Sequence, residues 1–415
     1  MLFTRLARSS LWTAARPIRW RQSYSTTSKK SDSLRILFCG SDAFSCASLQ
    51  ALYDEHRQNT DLIRSIDVVV RPSKPTGRGY KVLKEVPLRA LATQLNLPIH
   101  VRDTFTGWDM PKPDGDPINL IIAVSFGLFV PPRLIHASKY GGLNVHPSLL
   151  PDLRGPAPIH HALLAERSHT GITIQTLSPH AFDQGIPLLQ TPNPPGIPIP
   201  PDCTTPQLHD LLTPASAAML VETLRRGLHI PPHRSCDEKK ASESPPPIRS
   251  LRLRHAPKIR PEDRQILWTA SSSSSSSCSS SGAAARVALQ ARVLGPLWTH
   301  LRLRRGEGGK KKRVILEDLS VVEEEEEFQP SSWGGAAANT GQRPPLSKEV
   351  GEKDGNTSGW ETGEDVVLRY RVDEADSEAV LVQMADGSRL RVGRIKVEGS
   401  TFKPARRVLE SLGSR

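Results

Sequence analysis

Leu34-Arg35-Ile36-Leu37-Phe38-Cys39, cut short by Gly40-Ser41-Asp42, is the stretch on which the fold turns. A nearly unbroken apolar run of this length, ended by turn residues, reads as a strand buried on both faces that feeds a helix from near Ala43 to about His56. The same reading carried outward finds strands at Ile66 to Val70, Pro98 to Val101 and Leu120 to Val124, with helical spacing over 84–95 between the first two. Strands that alternate with helices predict an α/β fold with a doubly wound, mostly parallel sheet, whose ligands bind beyond the carboxyl ends of the strands. The first strand-to-helix turn holds one glycine instead of Gly-x-Gly-x-x-Gly, so it lacks the signature of a dinucleotide site.

Further along, Gly142 to Val145, Ile172 to Leu177 and Ile186 to Gln190 read as strands, Pro158 to Glu166 as a helix, and about Pro206 to Arg226 as the helix that closes the first domain. Residues 229–250 mix proline with charge and read as a linker. Beyond it, Ala256 to Trp268 and Ala285 to Arg305 are pieces of something ordered, and Val314 to Val322 and Val366 to Arg371 are strand-like. Ala379 to Met384 and Arg389 to Val397, joined at Asp386-Gly387, form a hairpin pattern. The simplest assembly is a small OB-like β-barrel of residues 251–415, interrupted by low-complexity insertions at about 271–283 and 323–364 that are expected to stay disordered.

A chain of 415 residues has room for about two domains, and none of its apolar runs approaches the roughly 20 residues that span a bilayer. The formal charge is +12, yet the first 30 residues hold seven cations (Arg5, Arg8, Arg16, Arg19, Arg21, Lys29 and Lys30) and no acid. With apolar residues between the arginines and a Ser/Thr-rich exit, residues 1–30 fit a mitochondrial transit peptide; a basic arm that touches nucleic acid is the alternative. Five cysteines stand in no metal-ligand spacing, which argues against a zinc site and a disulfide framework and suits a reducing compartment such as the matrix.

The chemistry concentrates in Gly142-Leu-Asn144-Val-His146-Pro-Ser148-Leu-Leu-Pro151, followed by Arg154-Gly155, Gly171-Ile-Thr-Ile-Gln175 and Phe182-Asp183-Gln-Gly185. Asn144 and His146 are two apart, so on an extended segment both face one carbonyl. A carboxamide can polarise that oxygen, an imidazole can exchange a proton near neutral pH, and Asp183, in a loop between strands, can orient the imidazole. Taken singly, an asparagine, a histidine or an Asp-x-Gly is more often a turn former or a satisfied polar residue.

Together these runs resemble the catalytic segment of the folate-dependent formyltransferases, and within them the methionyl-tRNA formyltransferase branch. The resemblance covers about residues 34–227 well and the remainder weakly. It implies Asn144, His146 and Asp183 as the catalytic set, without metal or covalent intermediate. It implies a reduced-folate donor, 10-formyltetrahydrofolate, held along Ser148, Leu149, Leu150 and Pro151 and along Phe126, Gly127, Leu128 and Phe129. Apolar side chains with exposed backbone suit a flat heterocycle. The loop carrying Arg71, Lys74, Arg78 and Lys81 resembles the family's basic loop for the acceptor arm of methionyl initiator tRNA, where four cations can follow phosphates. Arg389, Arg391, Arg394 and Lys396 put a basic stripe on the C-terminal hairpin.

The implied organisation is a transit segment (1–30), a catalytic domain (31–228), a linker (229–250) and a tRNA-binding barrel, working as a monomer in the mitochondrial matrix. The alternatives are another folate-dependent formyltransferase, a formyltetrahydrofolate hydrolase, or a mitochondrial RNA-binding protein without catalysis. The poly-serine tract, the acidic run and the glycine-rich stretch depart from the family pattern.

Overall fold

The computed structural model describes residues 31–76, 82–192, 196–236, 253–268, 282–302, 311–322, 358–362 and 367–413. The transit segment expected at 1–30, the poly-serine tract and the acidic and glycine-rich stretch of 323–357 lie outside these residues.

The opening strand is β1 (Leu34–Gly40), and Asp42 caps α1 (Ala43–Gln58) by accepting the Ser45 N–H at 3.0 Å. β2 (Ile63–Val70) starts three residues before the predicted Ile66, because Ile63 continues the ladder beside Leu34. The helix expected over 84–95 begins only at Pro87, whose missing N–H suits a first helical position, and residues just before it pair as a hairpin of β3 (Lys74–Thr76) and β4 (Val82–Lys84). The helix is α2 (Pro87–Gln94).

Next come β5 (Ile99–Val101), β6 (Leu120–Val124), α3 (Pro132–Ala137), β7 (Gly142–His146), α4 (Pro158–Leu164), β8 (His169–Thr170), β9 (Thr173–Thr176), β10 (Pro187–Gln190), β11 (Ile197–Pro198) and α5 (Thr205–Arg225). A capping box between Thr204 and Gln207 starts α5. The main sheet has seven strands in the order β10-β9-β7-β6-β1-β2-β5. β7 through β5 run parallel, β9 runs antiparallel to β7, and β10, antiparallel to β9, returns to the common sense. β1 alternates Ile36 and Phe38 into one core with Leu37 and Cys39 into the other, so both faces are dry as the sequence predicts. Strand order reverses between β1 and β6, which opens the carboxyl end of the sheet as a ligand crevice.

The start of the expected linker is packed. His229 is fully buried, its ring edge-on to Tyr140 at 5.2 Å, and the Cys236 N–H donates to the Pro187 carbonyl at 2.9 Å. The rest of the expected linker, 237–250, lies outside the described residues.

The second unit opens with α6 (Ala283–Leu294), which packs on α4 and α5 as well as on the barrel. The barrel strands are β12 (Leu297–Arg302), β13 (Lys311–Val322), β14 (Ser358–Thr362), β15 (Val367–Val372), β16 (Val380–Gln383) and β17 (Arg389–Val397), followed by β18 (Lys403–Pro404) and α7 (Ala405–Gly413). β13 pairs with both β12 and β17, so six antiparallel strands close into a ring with β18 appended. Alternate residues Val314 and Leu316, Val380 and Val382, and Leu390 and Val392 fill its interior. The hairpin turn at Asp386-Gly387 stands as predicted, with Gly387 at φ 87°. No helix among the described residues is long and apolar enough to cross a membrane.

Candidate active site

β7 delivers Asn144 and His146 to the carboxyl end of the sheet, with Leu143 and Val145 pointing into the core between them. β9 lies antiparallel beside it, so that Gln175 is opposite Asn144 and Thr173 opposite His146. Directly opposite residues in such a pair share a face. A polar quartet of two side-chain amides, one imidazole and one hydroxyl therefore stands together on β7 and β9.

The loop after β9 supplies the charge. Asp183 sits at φ 54°, in the left-handed region that aspartate tolerates better than most residues, and this turns its carboxylate back over the β7 end. Two residues on, a Cβ at Gly185 would lie 1.7 Å from the Thr176 carbonyl oxygen, so only glycine lets the loop close this tightly. The Asp-x-Gly spacing is a requirement of that closure.

The Asp183 carboxylate collects three donors: Asn144 Nδ2 at 3.1 Å and Gln175 Nε2 at 3.3 Å on Oδ1, and the Gly155 N–H at 2.9 Å on Oδ2. His146 Nδ1 stands 3.4 Å from Oδ1, beyond the usual range of a direct hydrogen bond. Its other nitrogen, Nε2, is 3.0 Å from the Leu153 carbonyl oxygen, which can only accept, so Nε2 carries the hydrogen. Nδ1 is then the nitrogen able to take up a proton, beside a carboxylate that compensates the cation formed. Asn144 has a second amide N–H to offer a ligand, and His146 itself is only 4% exposed.

The three residues singled out from the sequence thus meet in one place. Gln175 and the Leu153 carbonyl are partners that sequence reasoning missed. Gln175 was legible in principle, because alternation from Thr173 puts it on the face of Asn144; the carbonyl was not, since every residue has one.

The flanking runs divide. Ser148 and Leu150 are buried, the Leu150 N–H donating to Thr173 Oγ1 at 3.1 Å and its carbonyl accepting from Gln190 Nε2 at 3.0 Å. Ser148 Oγ donates to the Asp152 carbonyl at 2.7 Å. Leu149 is half-buried and Pro151 is the exposed member of the run. After β6, Phe126 packs in the core against Phe105 with ring centroids 5.9 Å apart, while Gly127 is exposed and Leu128 half-buried. Phe129 meets Phe182 edge-on at 5.2 Å, and Phe182 is exposed.

Of the basic loop, Arg71 is half-buried and Lys74 opens β3; Arg78 and Lys81 lie outside the described residues, as does the Lys74 side chain. The basic stripe is partly neutralised, since Arg391 pairs with Asp373 and Asp376 and Arg394 with Glu317. Arg313 stacks over Trp298, 4.4 Å from the ring centroid. Among the described residues no cluster of histidine, cysteine, aspartate or glutamate could hold a metal ion. Cys39 is buried, and burial pushes its thiol up, away from the nucleophilic thiolate.

A family profile described as Formyl transferase matches residues 34–224. The mitochondrial methionyl-tRNA formyltransferase of Saccharomyces cerevisiae is 35% identical over 301 residues, 64% of this chain and 68% of the yeast protein. The human mitochondrial methionyl-tRNA formyltransferase is 32% identical over 218 residues, 52% of this chain and 51% of its own length. The methionyl-tRNA formyltransferase of Ehrlichia chaffeensis is 34% identical over 200 residues, 48% of this chain and 63% of its own length. A solved phosphoribosylglycinamide formyltransferase from Bacillus halodurans aligns with a TM-score of 0.37 at 18% identity, over 47% of this chain and 95% of that one. The chain therefore spans from about half to two thirds of these curated relatives. At the identity and coverage shared with the yeast protein, the chain belongs to the methionyl-tRNA formyltransferase family.

Proposed function

We propose that the chain moves the formyl group of 10-formyltetrahydrofolate onto the amino group of methionyl initiator tRNA, for the start of translation in the mitochondrial matrix. The observation that carries this reading is the Asp183 carboxylate set between Asn144 and His146 at the crevice end of the sheet. In the proposed reaction the acceptor amine attacks the formyl carbon, a carbon–nitrogen bond forms, and the carbonyl oxygen becomes an oxyanion. The Asn144 N–H that does not serve Asp183 stabilises that oxygen. The amine proton passes to His146 Nδ1 and from there to N10 of the folate, whose bond to carbon breaks. Asp183 holds the ring and balances the imidazolium.

The donor lies along Pro151 and Leu149 and along the backbone of Phe126 to Phe129. Arg71, Lys74, Arg78 and Lys81 contact the acceptor arm. Residues 31–228 form the catalytic domain, the barrel adds tRNA affinity, residues 1–30 direct import, and the chain works as a monomer. The test is to offer labelled donor with charged initiator tRNA, glycinamide ribonucleotide or water alone. The reading expects label on the tRNA, with at least tenfold less on the other two. Label on glycinamide ribonucleotide, or free formate as the main product, assigns a different acceptor.

A further inference from the structure

The loop that completes the catalytic set is held in part from outside its own domain. Residues 152–157 supply the Leu153 carbonyl to His146 and the Gly155 N–H to Asp183, yet they follow the end of β7 without a strand or helix of their own. Ser148 Oγ and Arg167 hold Asp152 at the start of the loop, and the rest is fixed by a segment that arrives about 100 residues later. The Leu153 N–H donates to the Arg254 carbonyl at 2.8 Å, the Ala256 N–H to the Arg154 carbonyl at 2.7 Å, and the Ala157 N–H to the Ala256 carbonyl at 3.2 Å. The Arg254 N–H in turn donates to Asp152 Oδ1 at 2.9 Å, and Arg154 and His255 form a parallel bridge.

The fit is close. Gly155 has φ 118°, and a Cβ there would lie 2.4 Å from the Ala256 carbonyl oxygen. Ala256 is fully buried in a small cluster with Leu153 and Ala162. His161 Nε2 is 3.0 Å from the Pro257 carbonyl oxygen, which ties the same segment to α4. Its far end belongs to the barrel: the Ile266 N–H donates to the Trp298 carbonyl at 2.9 Å, and Trp298 Nε1 to the Pro261 carbonyl at 2.8 Å.

We propose that Arg254–Pro257 is a positioning strap, through which the C-terminal unit holds the catalytic loop so that His146 and Asp183 stand in working geometry. None of the strap residues touches the reacting atoms. They act through the Leu153 carbonyl and the Gly155 N–H, so loosening the strap frees the imidazole and removes one of three donors from the carboxylate. A displacement of about 1 Å in such a set is enough to cost on the order of 100-fold in rate. The inference rests on the proposed formyl transfer.

The experiment uses the full chain with saturating formyl donor and charged initiator tRNA. Ala256→Pro deletes the N–H given to Arg154, Ala256→Gly keeps it, and Asp152→Ala removes the acceptor of the Arg254 N–H together with that of Arg167, so Arg167→Ala, expected near the parent, is measured beside it. The strap predicts that Ala256→Pro and Asp152→Ala lower kcat by roughly 10- to 100-fold. KM for donor and tRNA stays within about threefold, the acid limb of the pH–rate profile moves, and Ala256→Gly stays near the parent. Should Ala256→Pro fail to fold, Asp152→Ala carries the comparison. The inference is overturned if the folded variants keep kcat within threefold, if Ala256→Gly loses as much as Ala256→Pro, or if neither disruptive variant folds. A parent that does not formylate tRNA rejects the functional reading instead, whatever the variants do.

Discussion

His146 Nδ1 stands 3.4 Å from Asp183 Oδ1, near enough for the carboxylate to compensate a proton on the ring and too far to be committed to it. That distance sets the account of the site. The carboxylate is immobilised by its three other donors, and the ring by the Leu153 carbonyl, so each partner is held independently of the contact between them.

Asp183→Asn keeps the shape and removes the charge. It also turns an N–H toward the Gly155 N–H or toward the Asn144 and Gln175 amides, which are donors. The expected outcome is a kcat lowered by roughly 100- to 10,000-fold together with a loss of about 1–3 kcal/mol in unfolding free energy. Steady-state kinetics and a urea melt check both. A variant that formylates within a few-fold of the parent removes the carboxylate charge from the mechanism.

Gln175→Leu tests a residue that never touches substrate in this account. It takes one donor from Asp183 and one acceptor from the Gly185 N–H, which now gives a 3.1 Å bond to Gln175 Oε1. We expect a kcat about 10-fold lower, a stability loss of about 1–3 kcal/mol and an unchanged KM for tRNA. An increase confined to the KM for tRNA points to a binding role instead.

Neutralising Arg71, Lys74, Arg78 and Lys81 one at a time is expected to raise the KM for tRNA and leave that for the donor alone. Each lost phosphate contact flattens the slope of log affinity against log salt by roughly 0.7–0.9. Tighter donor dependence with an unaltered salt slope would place the loop on the wrong ligand.

Protonation of His229 opposes folding. Burial is the main cause that brings its imidazole down from the ordinary 6.5 to about 4; the His233 charge adds to this and the Thr223 carbonyl offsets part. A histidine with a depressed folded pKa binds fewer protons than the unfolded chain between those two values, so stability falls as pH drops from about 6.5 toward 4. Between pH 7.5 and 5 the loss is about 2 kcal/mol. Chemical melts at the two pH values should show it, and His229→Gln should flatten the difference. An equal pH dependence in parent and variant assigns the effect to other groups.

Much of this architecture is written in short-range pattern. β6 occupies Leu120–Val124 as its apolar run demands, and Asn144 and His146 share a face because strands alternate. Three features were not legible, each because it depends on contacts distant in sequence. The β3–β4 hairpin lies in the stretch read as a basic Gly/Pro-rich loop, and only its last residue, Lys84, falls within the expected helix that Pro87 in fact starts. His229 looked like linker because its burial is supplied by Tyr140, about 90 residues earlier. The barrel itself was expected from its strand-like runs, but the pairing of β13 with both β12 and β17, which closes it, is encoded in no local periodicity.

The role of His146 as proton carrier is tested by the single-turnover rate of formyl transfer in His146→Ala against the parent, at saturating donor and charged tRNA. The expected rate is lower by roughly 100- to 10,000-fold with tRNA affinity within about threefold. A His146→Ala enzyme that transfers formyl within a few-fold of the parent contradicts it.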